Sequence, residues 1–462
     1  MKRTLTGLTL VLSALPVSVF ADCLSGNDAA KNTSVTLYEQ VSAVKKQISD
    51  WRINGRNPYT RHNIYNDAGV NVSSRCSLID NALDLDFSVY GLTWYTPRKL
   101  GAFEEDDRRS RLLIERLKLA YTVSDSLQLE VGKLQARQGL FFLRSPSDLT
   151  PHYYDGAKPT RIYDPELRTA YQSSSWAATL SMDNRDESFS LTVIPKLASI
   201  DKYYLTSGNW SANQRGNSSE SWLLGYTSHA FRDHTPGMRV LMGDSHSVAL
   251  SDSYHYTPQL TISAEVAWHA EQRWRHLSDE KTAELARYEF PDSLYETEDK
   301  QGVEVAVGAQ YTSDTFNVFG LEYYYQSEGY SRSEWNKQRD LMTFLNTATG
   351  YAPLDRAFDS YKYLMASEIS NTGNKGMLQG KHYLNAWSSV QFTHQIAAQP
   401  YLIFNLMDQS TLTGLHLSAP LTFIDDQLEA YTGVYSALGS ANSEFAFFGD
   451  VAGGYVGFKY YL

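Results

Sequence analysis

The sequence predicts an all-β fold: a transmembrane, antiparallel, up-and-down β-barrel of about 16 strands, with 18 as the alternative, preceded by a short N-terminal periplasmic helical segment. Three observations predict it. After the first 21 of the 462 residues there is no run of 18 apolar residues, so helical spans are excluded. The body of the chain alternates apolar and polar residues with period two, so each strand has one face for lipid and one for water. The connections between these segments are short and long by turns, as in barrels with short periplasmic turns and long outer loops.

Composition agrees. The chain has 32 Tyr, 19 Phe and 9 Trp, residues suited to positions with one apolar and one wet end. Its formal charge is −11, and loss of a leader carrying Lys2 and Arg3 takes it to −13. A net-acidic chain without a basic block is a poor nucleic-acid binder.

Residues 1–21 read as a secretory signal peptide. Lys2 and Arg3 precede an apolar stretch from Leu5 to Leu15, and Val19-Phe20-Ala21 form the cleavage end. The address is an oxidising compartment, where Cys23 and Cys76 are candidates for one disulfide. Residues 22–80 are read as a periplasmic or plug segment. Thr36 and Glu39 have capping-box spacing, and Leu37, Val41, Val44, Ile48 and Trp51 follow at spacings of 4, 3, 4 and 3. This predicts an amphipathic helix packed on the barrel mouth or serving as a trimerising stub.

The barrel is assigned to residues 81–462. Leu83, Leu85, Phe87 and Val89 alternate with Asp84, Asp86 and Ser88; Leu117, Leu119, Tyr121 and Val123 alternate with Lys118, Ala120 and Thr122. Val303, Val305, Val307, Ala309 and Tyr311 alternate with Glu304, Ala306, Gly308 and Gln310. The predicted strands are 81–92, 111–123, 127–137, 174–183, 187–196, 221–231, 236–243, 245–255, 259–271, 302–312, 315–326, 381–393, 398–407, 412–423, 427–437 and 452–462. The split at Gly243-Asp244 keeps two periplasmic turns from following one another. Long links remain at 93–110, 138–174, 198–220, 271–302 and 327–380, with a loop helix expected over 334–346. A barrel of this size leaves an aqueous channel.

The closing residues GGYVGFKYYL resemble the C-terminal assembly signal of Gram-negative outer-membrane porin-like barrels. SLTVIP at 190–195, FNVFGLEYYYQ at 316–326 and SEFAFFGD at 443–450 resemble strands and rims of that family. The resemblance implies that Val456, Phe458, Tyr460 and Leu462 address the chain to the barrel-assembly machinery, although the family usually ends in Phe or Trp. It also implies an outer-membrane location after Sec-type export, contact with lipid and lipopolysaccharide, and a homotrimer. The expected function is passive diffusion of small polar solutes such as sugars, sugar acids or other small ions. The alternative is an export or assembly barrel, as in polysaccharide secretion, with the N-terminal segment docking a periplasmic partner.

The candidate pore-lining residues follow from face parity. Arg116 and Lys118 share the polar face of one strand, Glu130 that of the next, and Asp84 and Asp86 that of the preceding one. Arg137, Arg144, Arg161 and Arg168 sit in or near the proline- and tyrosine-rich link 138–174, a candidate infolded loop. Opposed charges across a lumen would orient dipolar solutes. Glu115 and Lys133 break the parity of their strands. No nucleophile-elbow, zinc-protease or phosphate-loop motif occurs, so no enzyme, metal or cofactor is expected. Gly243-Asp244-Ser245-His246 reads as a turn rather than a nucleophile.

Overall fold

The structure is a computed structural model. It describes residues 31–53, 55–58, 62–98, 108–134, 138–150, 153–154, 172–200, 211–374, 378–392 and 395–462. Eighteen strands close into one antiparallel barrel. In chain order they are β1 (Thr33–Lys46), β2 (Ile64–Ile79), β3 (Leu83–Arg98), β4 (Arg108–Ser124), β5 (Leu127–Leu134), β6 (Ser175–Asp183), β7 (Glu187–Ile194), β8 (Ser221–Ser228) and β9 (Gly237–Gly243). The second half holds β10 (Ser247–His255), β11 (Leu260–His269), β12 (Gly302–Thr312), β13 (Val318–Gln326), β14 (His382–Gln391), β15 (Ala397–Asn405), β16 (Thr411–Pro420), β17 (Leu428–Leu438) and β18 (Asp450–Tyr461). Each strand pairs with its neighbours in sequence, and β18 returns to pair with β1, Val41 opposite Val456.

The count is 18 rather than 16 because residues 33–46 and 64–79 are strands. This corrects the predicted N-terminal helix. The 4-3-4-3 stripe does not lie on one face: Leu37 and Val41 point outward and are exposed, while Val44 and Trp51 are buried inside. Tyr38, Gln40, Ser42 and Val44 alternate with Leu37, Glu39, Val41 and Ala43, which is strand parity. Glu39 interrupts the apolar face, and Asn66 Nδ2 on β2 donates to it at 2.9 Å. In this barrel β1 pairs with β18 and β2 with β3, so no strand edge stands open in hydrocarbon, where no water would satisfy it. Val41→Pro, which removes the backbone donor at the β1–β18 seam, is therefore expected to abolish the heat-modifiable gel mobility of the folded barrel. A helical stub would tolerate the same change with the barrel intact.

The exposed large hydrophobic side chains mark the outer wall: Leu119, Tyr121, Leu250, Ile262, Val266, Phe319, Leu321, Leu402, Val434, Val456 and Phe458 among them. Val456, Phe458 and Tyr460 of the closing strand share this face. The backbones of Val35 and Leu462 bond to each other across the seam between the start of β1 and the end of β18. Residues 443–449 lie in the loop 439–449, whose Phe445 and Phe447 point into the molecule, and Asp450 begins β18.

The long connections all lie at one end, which also holds the short turns 244–246 and 406–410; the connections at the other end are all short. Four long-loop segments share an apolar core over the mouth. It contains Trp51, Trp274, Leu285, Tyr330, Trp335, Met342, Phe358, Met365, Ile369 and Phe447. Three helices contribute: α1 (Asp279–Ala286), α2 (Arg332–Leu345) and α3 (Ala352–Asn374). Ser331 caps α2 in a full capping box with Glu334. His276 and the cap bonds hold the Glu334 carboxyl down to about 2.

Candidate functional site: the lumen and its constriction

The inner wall follows from strand parity and differs around the ring. On β3, β4 and β5 the inward side chains carry charge. Arg116 Nε meets Asp86 Oδ1 at 2.8 Å, and Lys118 Nζ meets Glu130 Oε1 at 2.6 Å. These two cross-strand pairs are partly exposed inside the barrel. Asp84 lies on the same face one step nearer the short-turn end. On β6 to β11 small and hydroxylic inward residues stand beside Leu223, Leu241, Arg239, Glu265 and His269, which meet the loop 138–150 or the Glu304 cluster. Thr179 and Thr192 are bonded at 2.8 Å, and Ser253 and Ser263 at 3.1 Å. On β14 to β18 they are largely aromatic, with Tyr383, Tyr401, Tyr431, Tyr435 and Tyr455 all buried.

Several of these rings lie over cross-strand glycines. A Cβ at Gly414 would sit 2.3 Å from the hydroxyl of Tyr401, and one at Gly433 2.3 Å from Tyr455. Glycine is required there because the ring occupies the space a side chain would need.

The parity break at Glu115 is a β-bulge. The register between β3 and β4 slips between Ser88 and Val89, so that Ser88 faces Arg116 and Val89 faces Ile114. Glu115 is the extra residue. It turns inward, is buried, and accepts from Ser88 Oγ at 2.6 Å. Lys133 packs beside the bulge and donates to the Ile114 carbonyl.

The segment 138–150 is the constriction. It leaves the end of β5 and is fixed on β9 to β13, across the ring. Its backbone amides are held by two wall carboxylates. Glu265 of β11 accepts from Leu140 N at 2.7 Å and from Ser147 N at 3.0 Å. Glu322 of β13 accepts from Phe142 N at 2.8 Å and from Leu143 N at 2.9 Å. Arg239 of β9 donates to the Ser147 carbonyl at 3.1 Å. Because β4 and β13 stand nine places apart in an 18-strand ring, the loop is anchored diametrically opposite the Arg116 and Lys118 pairs.

Arg144, the one proposed loop arginine among the described residues, does not line open space. It is buried, with Nε 3.7 Å from Glu304 Oε2 of β12. Glu304 also pairs with Arg273, from the loop above β11, and faces His269 Nε2 at 3.7 Å. Arg273 in turn reaches Glu328 Oε2 at 3.0 Å, and Arg275 pairs with Glu368 of α3. The Glu304 carboxylate thus binds the constriction and the cap to one point of the wall. Arg137, Arg161, Arg168 and Cys23 lie outside the described residues. Cys76 is buried on the outward parity of β2.

Glu265, Glu304 and Glu322 are the site residues that parity assigns no special role. Their alternation within strands was visible, but their partners lie 118 to 180 positions away in sequence or in a different loop. The Gly243 to His246 turn carries no nucleophile arrangement: the His246 ring pairs with Glu271 at 2.9 Å and is exposed.

No described protein family matches the sequence, and no curated protein is detectably similar to it. Solved structures do match in fold. OccAB1 of Acinetobacter baumannii is 9% identical with a TM-score of 0.52, covering 94% of this chain and 97% of its own. OccK5 (OpdH) of Pseudomonas aeruginosa is 10% identical at a TM-score of 0.46, covering 94% and 98%. Wzi of Escherichia coli, an outer-membrane protein involved in group 1 capsule assembly, is 8% identical at 0.47, covering 93% and 84%. The closed 18-strand wall with its apolar outer face and the likeness to OccAB1 agree: the chain has the fold of the porin-like barrels of the Gram-negative outer membrane.

Proposed function

We propose that this barrel is a diffusion channel for small polar solutes, sugars, sugar acids or small ions among them. One observation carries the reading: a loop from β5 crosses the lumen and is fixed by wall carboxylates opposite a water-accessible wall of paired charges. A wide barrel narrowed by an inward loop selects solutes where the loop faces the wall. The Thr and Ser hydroxyls of the arc between them offer hydrogen bonds to a passing solute. The alternative of partner-assisted export rested on an N-terminal docking helix, and those residues are the strands β1 and β2.

Planar-bilayer recording of the refolded protein tests the reading. Steady open steps with a biased reversal potential are expected. A folded barrel without conductance would sink it. The charge pairs make a sharper prediction. In Arg116→Glu plus Lys118→Glu, four carboxylates replace two ion pairs on one wall, so the reversal potential is expected to move towards cation selectivity. An unchanged potential in a folded variant would show that ions do not pass this wall.

A further inference from the structure

Within the constriction, two apolar side chains are exposed. Phe141 packs inward with Ala306, Tyr324 and Tyr383. Its neighbours Leu140 and Phe142 are 45% and 38% exposed. Phe142 is stacked on Trp387 of β14, with centroids 5.3 Å apart and planes at 29°. The Trp387 indole lies over Gly320, where a Cβ would come within 2.3 Å of it.

Glu322 fixes both rings. Oε1 accepts from Phe142 N at 2.8 Å and from Trp387 Nε1 at 3.0 Å; Oε2 accepts from Leu143 N and Asn385 Nδ2, each at 2.9 Å. Two bonds to each oxygen fill the carboxylate's acceptor sites. Its charge therefore orients groups of the protein rather than attracting a solute. The chemistry offered to the lumen at this point is an aromatic ring held in one orientation, which lowers the entropy lost on stacking.

We infer that Phe142, backed by Trp387 and flanked by Leu140, is a stacking subsite for solutes that carry a ring with an apolar face. A pyranose or an aromatic ring supplies that face. The inference rests on the channel reading and adds a solute class to it.

Ion current through the refolded protein is recorded with maltose, with nicotinamide, and with open-chain sorbitol. At least one ring solute is expected to interrupt the current in a concentration-dependent way, whereas sorbitol does not. Whichever ring interrupts it names the source. Phe142→Ala is expected to raise the half-blocking concentration of that solute about three- to tenfold, the range for one aromatic stacking contact, and Phe142→Tyr to preserve it. A conducting channel that neither ring interrupts overturns the subsite and leaves the channel reading standing. So does sorbitol blocking as well as the rings, or a Phe142→Ala value within about twofold of the parent. A silent barrel overturns the channel reading and the subsite together.

Discussion

Replacing Glu304 by glutamine is expected to release both the constriction and the cap while leaving the barrel closed. Glu304 is fully buried on β12 and is the shared counter-ion of Arg144 and Arg273. Glutamine keeps the shape and removes the charge, so two largely buried guanidinium groups are left with Glu328 beside Arg273 and Asp148 near Arg144 as remaining carboxylates. Removing one partner of a buried ion pair costs about 3–5 kcal/mol. That exceeds what one loop contact supplies, so the loops are expected to move before the wall unfolds. The backbone ladders of β12 to β11 and β13 are untouched. The expected results are a larger and noisier conductance, and protease cleavage in residues 270–301, with unchanged heat modifiability. Adding Arg144→Met, which takes away one stranded cation, should recover part of the parent behaviour. Parent conductance and parent protease resistance in the Glu304→Gln protein would show that this carboxylate does not hold the loops.

Much of the wall was legible because a barrel strand carries its environment in period two. What hid β1 and β2 was the identity of their outward residues. Asn66, Ala68 and Ser74 are polar or small, and Glu39 is a carboxylate matched to Asn66. Local alternation weakens there, and a chance heptad spacing fills the gap. The evenness of a closed barrel does not distinguish 16 from 18, so topology alone offered no correction. At Glu115 and Lys133 the broken alternation was the trace of a bulge. The sequence shows that parity fails there, but only the slipped β3–β4 register shows why.

The constriction and the cap are another matter. The apolar face of α2 is readable from Leu341 and Leu345 alone. Its burial against Trp51 and Phe447 joins loops hundreds of residues apart. Likewise, a carboxylate in a strand announces a wet face. It does not announce that loop amides will fill its acceptor sites, as they do at Glu265 and Glu322. Residues 443–450 show the limit most directly. Their likeness to strands and rims of porin-like barrels does not foretell that the chain folds them into the mouth around one buried acid.

That acid, Glu444, is expected to make the loop 439–449 sensitive to pH near neutrality. Burial pushes its carboxyl up from 4.5 to about 7, and Asp408 adds to the rise. The bonds from Tyr383 Oη, the Gln379 amide at 2.8 Å and Asn405 Nδ2 at 2.7 Å act the other way but do not cancel it. A carboxyl raised in the seated loop favours seating while it is neutral. The contribution is full below about pH 4.5 and is lost as pH rises through about 7. At one pKa unit per ~1.4 kcal/mol, the swing is about 3 kcal/mol. The same loop accepts the Trp335 indole N–H at Asn442, and Gln47 N donates to Gly449, so its loosening would free the cap on two sides. Hydrogen exchange of amides 443–449 should therefore accelerate between about pH 4.5 and 7 beyond the intrinsic base-catalysed increase, and channel openings should lengthen in parallel. Glu444→Gln, which cannot ionise, should flatten both trends. A parent protein whose corrected exchange is constant over that range would show that the acid is satisfied in either form. A glutamine variant that keeps the dependence would place the titrating group elsewhere in the mouth. Glu334 answers on the acid side: its carboxyl, held down to about 2, contributes stability to the α2 cap that is lost as pH falls from about 4.5. The two carboxyls therefore bound the range in which the mouth is most firmly closed, between the acid limit set at α2 and the near-neutral limit set at Glu444.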